Sequence, residues 1–141
     1  MKILVTGGAG FIGSNLIHKL SELGWIIDTV DDLSNGHYEF LSGLNVKSIP
    51  VFMLQKYEDE YEKNRQKNQI LFFESDFENE QIFSRIKRGY YDVVFHLAAN
   101  PRVEHTVKNP ARTTDINVTR TMSLVEAIRD SSNKPRLIFS S

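Results

Sequence analysis

The chain has 141 residues, a formal net charge of −1 and no cysteine. That is one domain's worth of chain, long enough to bury a core, and its near-neutral balance gives no electrostatic basis for binding nucleic acid or an anionic membrane. Without cysteine there is no disulfide and no thiolate chemistry, which fits a reducing cytosol and an expected cytoplasmic location.

The chain opens Met-Lys-Ile-Leu-Val-Thr-Gly-Gly-Ala-Gly-Phe-Ile-Gly-Ser, which predicts a strand, a glycine turn and a helix. Met1-Lys2 leads into the strand rather than into a signal peptide, and no apolar run approaches the roughly twenty residues of a membrane span. Ile3, Leu4 and Val5 form an aliphatic run suited to a strand buried on both faces. The helical pattern that follows puts Phe11, Leu16, Ile17 and Leu20 on one side. Between them stand Gly7, Gly10 and Gly13, spaced G-x-x-G-x-x-G. The first glycine allows a sharp turn, the second lets a pyrophosphate approach the backbone, and the third lets the helix pack closely. The helix start then offers free N–H groups and its positive dipole end to the phosphates.

A glycine triplet alone also serves ordinary turns, so the flanking pattern decides. Gly24 ends the helix. Trp25 to Asp31 predicts a second strand, closed by a carboxylate roughly twenty residues after the motif, where the ribose-binding acid of a dinucleotide site stands. Gly13-Ser14-Asn15 excludes a P-loop, which needs Gly-Lys-Ser/Thr. Asp32-Leu33-Ser34-Asn35-Gly36 is loop chemistry. Strand, helix and strand make a right-handed βαβ unit. The pattern is that of a dinucleotide site.

Residues 37–68 are the least readable and are expected to be a variable, partly helical insertion. Phe40, Leu41 and Leu44 suit a short helical patch. Pro50 separates them from Val51, Phe52, Met53, Leu54, Tyr57 and Tyr61, which recur at near-helical spacing. The charged run from Tyr57 to Lys67 is expected to be a solvated helical face. Ile70 to Phe73 predicts a third strand. Asn79 to Arg88 predicts a helix that buries Ile82, Phe83 and Ile86, with Gly89 ending it.

Tyr91 to Leu97 predicts a fourth strand, and small Ala98 and Ala99 at its carboxyl end let a flat ligand lie against the backbone. A loop through Asn100, Pro101 and Arg102 leads to Pro110, which suits the first turn of a long helix reaching about Ser131. Leu137 to Phe139 predicts a fifth strand. The whole of 1–141 therefore predicts an α/β domain, a Rossmann-type doubly wound parallel sheet of order 3-2-1-4-5, with ligands at the carboxyl edge. His18, His37, His96 and His105 show no metal-ligand spacing, and no metal is expected.

Several motifs together resemble the extended short-chain dehydrogenase/reductase family, and within it the nucleotide-sugar epimerases and dehydratases. They are Thr6-Gly7-Gly8-Ala9-Gly10-Phe11-Ile12-Gly13, Asp31-Asp32-Leu33-Ser34-Asn35-Gly36 and Asp76-Phe77. They continue with His96-Leu97-Ala98-Ala99, Asn109-Pro110, Asn117-Val118-Thr119-Arg120-Thr121 and Phe139-Ser140-Ser141. The resemblance covers nearly all of the chain outside 37–68. It implies NAD as the cofactor, with the backbone amides of Phe11 and Ile12 over the pyrophosphate and Asp31 on the adenosine ribose. Asp31 would repel a 2′-phosphate, which favours NAD over NADP. Asp32, Asn35 and Gly36 would be further adenosine contacts, and Asp76 and Phe77 would frame the adenine. Leu97, Ala98 and Ala99 would pass beneath the nicotinamide half, with Asn117 bracing that region and Ser140 completing the set.

The resemblance also implies a nucleotide-sugar substrate, a homodimer, and epimerisation through transient oxidation at the sugar C4. A 4,6-dehydratase, a decarboxylase or a non-catalytic NAD-binding module are the alternatives; the loop Asn100-Pro101-Arg102-Val103 resembles epimerases more than dehydratases. Two positions depart from the family pattern. Asp32 stands where Asn is frequent, and Arg120 stands where Gly is usual, on the helix that packs between subunits in relatives. The family's Tyr-x-x-x-Lys pair is missing, because no Tyr here is followed four residues later by Lys; Tyr61 is followed by Arg65. The chain therefore reads as the N-terminal part of an enzyme, inactive alone. Its fifth strand, and Met122, Val125 and Ile128 of the long helix, are expected to be uncovered and to drive self-association.

Overall fold

A computed structural model describes residues 1–100 and 107–140. Pro101, Arg102, Val103, His105 and Ser141, which enter the sequence reading, lie outside the described residues. The chain runs β1 (Lys2–Thr6), α1 (Phe11–Glu22), β2 (Ile26–Asp31), a 3₁₀ turn (Tyr38–Leu41), β3 (Val46–Ser48) and a second 3₁₀ turn (Val51–Met53). It continues with α2 (Leu54–Lys63), β4 (Ile70–Glu74), α3 (Glu80–Lys87) and β5 (Val93–His96). Last come α4 (Pro110–Thr114), a π-helical segment (Asp115–Thr119), α5 (Arg120–Arg129) and β6 (Arg136–Phe139).

The strands form one parallel sheet of order β3-β4-β2-β1-β5-β6. The five expected strands keep their expected order, and the correction is a sixth, β3, added beside β4. It was not legible because it is three residues long and lies at the sheet's edge. Val46 is half-buried while Lys47 and Ser48 are exposed, so the segment carries neither an apolar run nor a useful alternation.

Both sheet faces are covered, as an all-parallel sheet requires. Ile3 and Val5 of β1, with Ile27, Ile70 and Phe72, pack on Ile17 and Leu20 of α1. Leu4, Val30, Leu71, Phe73 and Val94 pack on the other side with Leu54 of α2, Ile82 and Ile86 of α3, and Leu124, Ala127 and Ile128 of α5. Each fully buried Val, Leu, Ile or Phe side chain contributes about 1.5–3 kcal/mol. Ile128 is thus buried rather than uncovered; Met122, Val118, Ile138 and Phe139 are the exposed apolar residues of this edge.

The charged run of 57–67 is also corrected. Arg85 is fully buried and lies 3.2 Å from Asp28 on β2, which is itself fully buried. Arg85 further binds Glu58 and, at 2.6 Å, Glu62 on α2. Arg65 binds Asp28 at 2.8 Å and the Ile27 carbonyl at 2.6 Å. The Tyr91 hydroxyl donates to Asp28 at 2.8 Å. Glu58, Glu62 and Arg65 therefore face inward and tie α2 to the sheet. An isolated buried aspartate and arginine are each too costly to leave unpaired, so the run supplies their partners.

The helix expected from Pro110 to about Ser131 is continuous in course but not regular. The Arg120 N–H donates to the Asp115 carbonyl, an i→i−5 bond that makes 115–119 a π-helical segment. Asn109 precedes Pro110 at the start, and the helix ends at Arg129.

Candidate dinucleotide-binding site

The carboxyl ends of β1, β2, β4 and β5 open into a cleft of about 660 Å³. Its position follows from the topology: the chain leaves β1 toward β2 on one side and reaches β5 on the other, so the loops diverge there. Gly7 stands at the end of β1 with φ of +74°, and a Cβ there would lie 2.7 Å from the Ala98 nitrogen. Only glycine makes this turn against the end of β5. A Cβ on Gly13 would lie 2.2 Å from the Gly7 carbonyl oxygen, so α1 can start this close to the turn only with glycine there. A Cβ on Gly10 would meet little but the Gly7 oxygen at 3.2 Å, so its outer side is open.

α1 begins without a side-chain cap, and its first turn contains no acidic residue. Uncapped N–H groups at a helix start carry partial positive charge into the cleft, which Phe11, Ile12 and Gly13 line. The Phe11 and Ile12 side chains are 76% and 61% exposed, so they do not close it. Asp31 lies at the tip of β2. One carboxylate oxygen accepts the Ala9 N–H at 2.9 Å and the other accepts the Leu33 N–H at 2.9 Å. Burial raises this carboxyl above its usual range, against the two backbone bonds, and Asp32 adds a like charge. The group is an oriented acceptor with lone pairs left over.

Most of the sequence-predicted residues meet in this one cleft: Gly7, Gly10, Phe11, Ile12, Gly13, Asp31, Asp32, Asn35, Gly36, Asp76, Phe77, Leu97, Ala98 and Ala99. Asn117 sits just behind it. Its side chain accepts the Asn100 N–H at 2.8 Å and donates to the Asn100 carbonyl at 3.2 Å, which fixes the loop after β5. Ser140 does not reach the cleft. It is exposed at the end of β6, one strand beyond β5, and its N–H donates to the His96 carbonyl at 3.4 Å.

Ser75, Asn100, Asn109, Arg112 and Ile116 also line the cleft and were not assigned from sequence. Only Asn100 and Asn109 carried a signal, as members of quoted motifs; Arg112 is a single charge on a helix face. His96, which stands in a quoted motif, lies under the site. Its Nδ1 lies 2.7 Å from the Thr6 hydroxyl and its Nε2 2.9 Å from the Thr121 hydroxyl. The Ala98 N–H donates to the same Thr6 oxygen at 3.3 Å.

A doubly wound parallel sheet with a glycine turn, an uncapped helix start and an acidic strand tip at its carboxyl edge defines an α/β domain of the Rossmann type. The sequence profile of the NAD dependent epimerase/dehydratase family matches residues 3–141, and the chain belongs to that family. It is 34% identical over its full length to the UDP-glucose 4-epimerase of Lactobacillus helveticus, of which it covers 35%. Among solved structures it superposes on the UDP-glucose 4-epimerase of Thermotoga maritima, solved with UDP-glucose, with a TM-score of 0.72 and 34% identity; it is covered completely, against 38% of that chain. The epimerase from Stenotrophomonas maltophila, solved with NAD and formylated UDP-arabinopyranose, gives a TM-score of 0.71 at 26% identity, covering 100% of this chain and 37% of that one. The chain thus spans a little over a third of the length of these relatives.

Proposed function

We propose that the cleft binds NAD and that this chain is the NAD-binding part of a nucleotide-sugar epimerase. The observation that carries the reading is the Asp31 carboxylate, fixed by two backbone N–H groups in the same cleft as the uncapped start of α1. Such an acid accepts the two hydroxyls of a ribose, and such a helix start takes the pyrophosphate. The amides of Phe11 and Ile12 hold the pyrophosphate across the open side of Gly10. Asp32, Asn35 and Gly36 flank the adenosine, Asp76 and Phe77 frame the adenine, and Leu97 to Ala99 lie under the nicotinamide half, with Asn117 locking Asn100.

When bound, NAD supplies the acceptor and donor of hydride at the sugar C4. The substrate class, a nucleotide sugar, rests on the likeness to the two 4-epimerases at 34% identity, and the turnover belongs to the whole protein. The 141-residue chain is expected to bind NAD more tightly than NADP when both are titrated by calorimetry. Asp31→Ala should weaken NAD binding by about 1–3 kcal/mol, the cost of leaving hydrogen-bonding groups unpaired. Equal affinities for the two dinucleotides would overturn the role given to Asp31.

The same reading includes self-association of this chain as a homodimer. β6 lies outermost in the sheet, with Ile138 and Phe139 41% and 52% exposed, and Met122 and Val118 are exposed on the helix. An apolar, unpaired strand edge recruits another strand. Light scattering across a concentration series should give a mass rising above that of the monomer; a constant monomer mass removes the homodimer.

A further inference from the structure

We propose that Arg120 is a positioning residue for the cofactor: it holds the Asp76 carboxylate at the adenine end of the cleft and thereby sets selectivity for the adenine amino group. The proposal rests on the NAD reading of the cleft given above. Its starting point is the π-helical segment. In a regular α-helix, positions five apart point roughly 140° away from each other. The i→i−5 turn at 115–119 brings Arg120 over Asp115, where its Nε donates to the carboxylate at 2.8 Å. So anchored, the guanidinium reaches across to the loop after β4 and binds Asp76 Oδ2. Glu78 lies 3.7 Å from the same guanidinium.

Asp76 is thereby held from both sides. Its Oδ1 accepts the Glu78 N–H at 2.8 Å while its Oδ2 takes Arg120. An ionised carboxylate offers about four lone-pair sites, so each oxygen keeps capacity for a donor arriving from the cleft that Asp76 lines. Phe77 beside it is almost fully buried and packs edge-on against the His96 ring, 4.8 Å between centroids. The backbone at this corner is therefore fixed, and Arg120, together with the Glu78 N–H, sets the side-chain rotation.

Stability does not account for the arrangement. The Arg120 and Asp76 side chains are 28% and 38% exposed, and pairs that exposed contribute little to folding. What the pair can do is orient. One guanidinium serves Asp76, Asp115 and Glu78, so its removal leaves three like charges that repel and turn Asp76 away from a single bearing.

The test compares NAD with nicotinamide hypoxanthine dinucleotide, in which a carbonyl replaces the adenine amino group. The unaltered chain should prefer NAD by roughly 3–10-fold, the worth of one hydrogen bond. In Arg120→Gly that ratio should fall to within about twofold. Arg120→Gln, which keeps the bulk and the helix, should give the same collapse and carries the test if the glycine variant unfolds. A ratio unchanged in Arg120→Gln overturns the proposal. An unaltered chain that binds both dinucleotides equally also overturns it, with the NAD site left standing. A chain that binds neither overturns the NAD reading, and this proposal with it.

Discussion

Replacing Arg85 with methionine is expected to cost about 3–5 kcal/mol of stability, the range for removing one partner of a buried ion pair. Arg85 and Asp28 are both fully buried, so water cannot replace the lost partner. In the variant Asp28 keeps Arg65 and the Tyr91 hydroxyl, but Glu58 and Glu62 lose the guanidinium that they share. Burial pushes the Glu62 carboxyl up; the Tyr90 hydroxyl, at 2.5 Å, and Arg85 outweigh it and hold that group below its usual range. Without Arg85 the Glu62 carboxyl has only Tyr90 and Arg65 to set against its burial, and Glu58 and Glu62 lose their direct bonds to α3. A domain of this size has about 5–15 kcal/mol in all, so the change takes a large share of it. Urea unfolding at neutral pH measures the loss. Asp28→Leu with Arg85→Met should be less damaged than the sum of the single changes, because both remove the same 3.2 Å Asp28–Arg85 pair, which each single change counts in full. Stability of Arg85→Met within about 1 kcal/mol of the parent would show that the pair is dispensable.

The parts of the fold that were legible in the sequence are those where one physical demand acts on neighbouring residues. β1, the glycine turn and α1 form an unbroken stretch in which each residue type answers a local need, and Asp31 ends the next strand in order. The cleft follows from these, because a parallel sheet that reverses its direction of growth must open at that place. Asp28 was not legible, since nothing in Trp25-Ile26-Ile27-Asp28-Thr29-Val30 says that its partners lie at Glu58, Glu62, Arg65 and Arg85. A charged run reads as solvated until tertiary contacts give it buried partners. β3 was missed for a different reason: three edge residues carry too little pattern to stand out. The π-helical segment is set by backbone bonding around Asp115 and Arg120, and side-chain periodicity does not register it. Ser140 fell outside the cleft although it stands in a quoted motif, because β6 lies one strand farther from the site than β5.

His96 sets the second large effect, a loss of stability on mild acidification. Its ring is buried between Phe77, edge-on at 4.8 Å, and Phe139, stacked at 5.6 Å, and burial pushes its pKa down to about 4. A neutral imidazole has one N–H and one bare nitrogen. It can therefore accept from one of the Thr6 and Thr121 hydroxyls while donating to the other. Protonation turns both nitrogens into donors, strands one hydroxyl and puts a charge between two aromatic rings. In the unfolded chain the group titrates near 6.5. The native state therefore resists a proton that the unfolded state accepts, and the contribution of His96 is complete above pH 6.5 and is lost as pH falls from 6.5 to about 4. Between pH 7.5 and 4.5 that amounts to about 2–3 kcal/mol, measured as the difference between urea unfolding free energies at the two values. His96→Asn keeps a donor and an acceptor but does not titrate, so its pH dependence should be flatter by that amount. A variant whose stability falls with acid as steeply as the parent's would assign the sensitivity to carboxylates and remove His96 from the account.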